Sequence, residues 1–260
     1  MPATVAEAKA NALSDFTRSL TRSGVRDRVA KVVAFGSVAK GTARPESDID
    51  VLVVTTAAPG PVERTAQRVA GRVFDATGQW VEVHTYPVSA WLLPQSLFML
   101  EAQRGREVYS MDEATIRRTE AQKYVGLALT YRETAANLLS ADGVRVAADA
   151  AHNAVERVLK ALLLLGGEKL PRSHREVINS FAIAWRDDER LPRGIARRLH
   201  HSLDTRNRAR YDPDATIAKR DAQTTIRLAD TVLNLLRDEL ARGQAAEGDA
   251  EGAPESASAQ

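Results

Sequence analysis

The chain has no cysteine. Disulfides, thiolate nucleophiles and cysteine-built zinc sites are therefore excluded, which fits a reducing compartment. It also has almost no net charge: Lys and Arg number 36 against 34 Asp and Glu, leaving +2. No global field draws it to nucleic acid or to an anionic membrane. Nucleic acid is allowed as a partner but is not favoured. No apolar run reaches the length of a membrane span, and the N-terminus lacks an apolar signal segment. The expectation is a cytoplasmic protein with no membrane partner. No internal repeat is detectable. What 260 residues do allow is a proper core, in one large domain or two small ones.

The most informative stretch runs from Val32 to Val54. Val32 to Phe35 reads as a short buried strand, broken by Gly36-Ser37. Val51 to Val54 reads as a second. This second strand carries Asp48 and Asp50, one residue apart, and alternate residues of a strand point to the same face. Both carboxylates thus project together, while Ile49 and Val51 point into the core. Two neighbouring acids repel unless a cation lies between them or one takes up a proton. The expected cation is Mg²⁺, which prefers carboxylate and phosphate oxygens. The Gly36-Ser37 turn offers backbone N–H groups and a hydroxyl suited to a phosphate. Lys40 and Arg44, in the following loop, are further phosphate contacts by charge. Together these residues predict a metal-dependent nucleotide site.

The rest of the chain divides near residue 110. Before it, apolar residues Ala6, Leu13, Phe16 and Leu20 predict a helix over 4–23 that packs on a sheet. Pro59-Gly60-Pro61 breaks the chain, and 62–77 reads as a helix with Val62, Ala66, Val69, Ala70 and Val73 on one side, closed by Gly78. Trp80 to Tyr86 alternates as a half-buried strand, with Glu82 and His84 on one face. Residues 89–103 read as one short helix and Arg106 to Tyr109 as an edge strand. After Met111 strand signals stop. Helices are predicted over 112–139, 144–165, 173–186, 192–205 and 214–242, with a turn at Asp142-Gly143. Short connections between them make a bundle. The fold class is α+β: a small mixed-sheet domain over 1–110, an all-α bundle over 111–243, and a disordered tail over 244–260.

Gly-Ser followed eleven residues later by Asp-x-Asp, here Ser47-Asp48-Ile49-Asp50, resembles the signature of the DNA polymerase beta-type nucleotidyltransferases. The nearest branch holds the minimal and kanamycin-type enzymes. The resemblance implies ATP or another NTP as co-substrate, and Mg²⁺ held by Asp48 and Asp50. It assigns Glu82 as the third carboxylate, a metal ligand or general base. Gly36, Ser37 and Ser47 would contact the nucleotide. The acceptor would be a hydroxyl on a small molecule, such as an aminoglycoside, or on a protein. Ala151 to Gly167, with Pro171 and His174, resembles the second half of a HEPN core, and Thr205 to Asp212 resembles that family's polar stretch. Arg206 would reach a triphosphate or substrate phosphate. Ribonucleases of that family carry a His after the Arg-polar pair, where this chain has Tyr211. Tyr, with a pKa of roughly 10, is a poor proton carrier near neutral pH. The alternative is a toxin–antitoxin-type fusion with the helical domain as RNA-directed effector. A homodimer is compatible with the sequence.

Overall fold

The structure is a computed structural model and describes residues 4–251. The chain forms two units, residues 1–120 and 121–260. The division falls inside a helix rather than near residue 110. The first turns of that helix belong to the first unit because Ile116 is buried in its core.

In the first unit, α1 (Val5–Thr21), β1 (Val29–Ala34), the short α2 (Gly36–Ala39), β2 (Ile49–Thr55), α3 (Pro59–Thr77), β3 (Val81–Pro87), α4 (Val88–Leu92), α5 (Leu97–Ala102) and β4 (Arg106–Ser110) follow in order. The sheet is mixed, with strand order β3-β2-β1-β4. β1 runs antiparallel to β2 and β4, whereas β2 and β3 are parallel across the α3 crossover.

Both faces of the sheet are covered. On one, Ile49, Val51 and Val53 meet Leu13, Phe16 and Leu20 of α1 and Val62, Ala66 and Val69 of α3. On the other, Val33, Leu52 and Val54 meet Val88, Met99, Ala102 and Ile116. Each fully buried Leu, Val or Phe contributes about 1.5–3 kcal/mol. Asp50 heads the second row of β2, in line with Leu52 and Val54.

Three local predictions change. Pro59 and Pro61 lie inside the first turn of α3, where a missing N–H costs nothing and the fixed φ suits a helix. Residues 89–103 divide into α4 and α5, because Leu93 precedes Pro94 and takes φ −132°, ψ 75°. Ala6 is exposed, and its place on the buried stripe of α1 is taken by Lys9.

The second unit continues α6 (Glu113–Ser140) and adds α7 (Val144–Leu165), α8 (His174–Ala184), α9 (Ile195–Tyr211) and α10 (Lys219–Glu251). α7 is its axis, buried over most of its surface and fully so at Val155, Val158, Leu159, Leu162 and Leu163. Alanines 135, 147, 148, 151 and 222 let the neighbouring helices approach closely. Arg132 binds both oxygens of Asp230 at 2.8 and 3.0 Å, tying α6 to α10. Arg145 donates to the carbonyls of Ala209, Asp212, Pro213 and Ala215 at 2.7–3.2 Å and so holds the α9–α10 loop.

α9 runs six residues past its predicted end, and α10 runs beyond 242. Gln244, Ala245, Ala246 and Glu247 are good helix formers, which composition alone had assigned to a tail. The remainder of that tail, 252–260, lies outside the described residues.

Candidate active site

β1 ends at Ala34, and Phe35 N donates to Asp50 O at 3.0 Å. The chain then turns sharply at Gly36, whose φ is +66°. A Cβ at that position would overlap Asp50 Oδ2 and stand 3.0 Å from its Cγ. Glycine is thus required twice, for its backbone conformation and for the carboxylate lying against it. Gly36 and half-buried Ser37 open α2. The first N–H groups of such a turn have no intrahelical acceptor.

Asp50 pairs in register with Glu82 on β3, and Ile49 N binds Trp80 O at 2.9 Å just beside Asp48. Asp48 is exposed and Asp50 half-buried. Burial pushes the Asp50 carboxyl above the usual carboxylate range. The neighbouring charges of Glu82 and Asp48 push it the same way, while His84 pulls it back. Such a cluster favours a bound cation or proton. Three carboxylates and no thiol are the donor chemistry that a hard ion such as Mg²⁺ prefers, though Asp48, Asp50 and Glu82 do not converge as a closed ligand set.

His84 Nε2 lies 3.6 Å from Glu82 Oε1. Its ring belongs to an aromatic floor with Phe35, Phe98 and Tyr86, at centroid distances of 5.0–5.8 Å. Beside the acids opens a cleft of about 620 Å³, lined by Asp48, Glu82, Gln67, Trp80 and Val81.

The remaining predicted residues take different places. Lys40 and Arg44 are exposed in the α2–β2 loop. Ser47 closes that loop: its Oγ accepts from Arg44 N at 3.0 Å and its N–H donates to Arg44 O at 3.1 Å. Arg206 lies in the second unit, 4% exposed. Its Nε is 3.2 Å from Asp149 Oδ1, its Nη1 donates to Asn207 Oδ1 at 3.0 Å, and its guanidinium stands 5.4 Å from the Tyr211 ring. Arg208 and Arg210 are likewise occupied, on Thr216 O and Asp149.

Sequence reasoning missed Lys9. Its ammonium is buried at 2% exposure and binds Pro45 O at 3.3 Å, Gln79 Oε1 at 2.8 Å and Ser47 O. These contacts tie α1 to the loop that delivers Asp48. The signal was present: Lys9 falls on the same helical stripe as Leu13, Phe16 and Leu20.

The model of a nucleotidyltransferase domain matches residues 18–83, a span that contains Gly36, Ser37, Asp48, Asp50 and Glu82. The model of a HEPN domain matches residues 121–239. The chain is a nucleotidyltransferase domain followed by a HEPN domain. It is an enzyme of the nucleotidyltransferase class. The HEPN domain begins where the second unit begins, and it lacks a His where Tyr211 stands. No curated protein matches the chain. Solved structures do, among them a spectinomycin adenyltransferase from Enterococcus faecialis, crystallised with ATP and spectinomycin. It is 13% identical, with 85% of this chain and 98% of that chain covered and a TM-score of 0.30. A TM-score that low does not establish a shared overall fold. Among the described residues no helix is long and apolar enough to cross a membrane.

Proposed function

We propose that the chain transfers a nucleoside monophosphate, AMP, from ATP to a hydroxyl of a small hydroxylated molecule or of a protein, and releases pyrophosphate. The observation that carries this reading is the Asp50 carboxylate, seated on Gly36 and in register with Glu82. It supports a triphosphate and a cation sharing one corner of the sheet.

Asp48, Asp50 and Glu82 would hold Mg²⁺, which when bound neutralises phosphate charge and stabilises attacking and leaving oxygens. The turn at Gly36 and Ser37 would receive the phosphate tail through its N–H groups and hydroxyl. Lys40 and Arg44 stand in the adjoining loop as solvent-facing counter-charges. The acceptor oxygen attacks the α-phosphorus. The bond from that phosphorus to the bridging oxygen breaks, pyrophosphate leaves, and the acceptor proton passes to Glu82. Half of the Glu82 side chain is exposed, which leaves it within reach of an acceptor. The 620 Å³ cleft beside Asp48 and Glu82 is of a size that suits a small ligand.

The test is incubation of the full chain with Mg²⁺, labelled ATP and a panel of hydroxylated acceptors, the protein itself and cell lysate included. Pyrophosphate release with a mass gain of one AMP on an acceptor is expected, and loss of both in Asp50→Asn. Turnover undiminished in Asp50→Asn would overturn the reading.

A further inference from the structure

The HEPN domain holds a second cluster of ligating side chains, distant in sequence from the acids of the sheet. His152 and Glu156 stand one turn apart on α7, and His174 is the first residue of α8, behind the capping box of Ser173 and Glu176. One ligand atom from each lies within 4.8 Å of the others.

The hydrogen bonds fix how these groups present themselves. Ser202 Oγ donates to Leu199 O at 2.8 Å, so its lone pair must accept from His152 Nδ1–H, 3.0 Å away. The proton is thereby held on Nδ1, and Nε2 carries a bare lone pair. That atom is fully buried and has no hydrogen-bond partner. His152 as a whole is 1% exposed. A buried acceptor with nothing to accept is costly. Metal-ligating histidines characteristically have the far nitrogen held in this way by an oxygen acceptor.

Glu156 is split in the same manner. Lys160 Nζ binds Oε1 at 2.7 Å, while Oε2 is hydrogen-bonded to His174 Nδ1, so a bound ion would take the place of the proton these two share. The His174 side chain is 41% exposed, which opens the cluster to solvent on one side. Two imidazole nitrogens and one carboxylate oxygen thus converge, with room for water in a fourth position. Around an ion with bonds of about 2.0–2.2 Å the ligand atoms stand roughly 3.4 Å apart, so the touching Glu156 and His174 atoms must part slightly while the wider gaps, at most 4.8 Å, draw in. Imidazole donors select a borderline transition metal over Mg²⁺. Lys160 and Arg206 are the cations nearest the cluster; both weaken the site relative to a cysteine-rich zinc centre.

We propose that His152, Glu156 and His174 bind one Zn²⁺-class ion, clamping α8 onto α7 independently of the chemistry at the sheet. The test uses full-length, untagged, metal-stripped protein in excess Mg²⁺, titrated with Co²⁺. The expected result is a visible absorption band that saturates at one equivalent and is displaced by Zn²⁺. Glu156→Gln and His174→Ala should each weaken binding at least tenfold, while Asp48→Asn/Asp50→Asn leaves it unchanged. Circular dichroism verifies that the variants fold. The proposal falls if wild type shows no saturable band. It falls equally if both HEPN variants bind like wild type, or if the band vanishes with the sheet acids instead.

Discussion

Asp50 rests its carboxylate on the Cα of Gly36, in space that any other residue at 36 would fill. Two segments separated by a loop are joined there by the absence of a side chain. Gly36→Ala must strain a backbone at φ +66° and displace Asp50 as well. The left-handed conformation costs about 1–2 kcal/mol, which a domain with this core survives. A displacement of about 1 Å can cost 10²-fold in rate. The expected variant is folded, slightly less stable and at least about 10²-fold slower. Thermal melting and pyrophosphate release separate the two effects.

Asp50→Asn should move stability and activity in opposite directions. Burial, Glu82 and Asp48 raise the Asp50 pKa in the folded chain. A raised carboxyl contributes stability below its unfolded pKa and loses it as pH rises through the folded one. At neutral pH the charged form is therefore a burden on the metal-free fold, and the amide removes it. The melting temperature in EDTA should rise modestly while AMP transfer is lost. An equal or lower melting temperature would contradict the like-charge account of this corner.

Lys9→Met keeps the length and removes the ammonium. Three acceptors, Pro45 O, Ser47 O and Gln79 Oε1, then lose their donor. These acceptors are only part-buried, so water replaces the ammonium in part and the cost falls at or below the low end of the roughly 1–3 kcal/mol for a buried unsatisfied group. Because the loop leads into Asp48, the apparent Mg²⁺ requirement should increase as well. A variant with lowered melting temperature but unchanged Mg²⁺ dependence would restrict Lys9 to a structural part.

His152 gives a pH signature in metal-free protein. Burial lowers its pKa to about 4; Glu156 opposes this, while His174 and Arg206 add to it. The unfolded chain, with a pKa near 6.5, binds the extra proton first. Stability present above pH 6.5 is therefore lost as pH falls toward 4, by up to about 3 kcal/mol. Urea unfolding in EDTA at pH 7 and pH 5 should show the gap between wild type and His152→Gln narrowing at the lower pH. A gap that stays constant would remove His152 from the acid sensitivity.

Much of this architecture could be read before any coordinates. The stripe of α3 is buried at the five residues its periodicity names, Val62 to Val73. Alternation puts Glu82 and His84 on one face of their strand, the family resemblance implies Glu82 beside the Asp pair, and the sheet register sets it opposite Asp50. What escaped was decided by tertiary partners. Arg206 to Tyr211 lack an apolar period, so the end of α9 was invisible; there Arg145 gathers the terminal carbonyls and Asp149 takes the guanidinium. Ser47 Oγ accepts from Arg44 N within its own loop, a bond that periodicity does not reveal and that leaves its O–H free to donate. Lys9 went unnamed because lysine is so rarely buried.

The amine of Lys9 precedes the recognisable nucleotidyltransferase segment, which starts at residue 18. A version of the enzyme trimmed to that segment would retain every acid of the site. It would nevertheless lose the buried ammonium that fastens the loop ahead of Asp48, and with it the hydrogen bonds to Pro45 O and Ser47 O that hold that loop to the first helix.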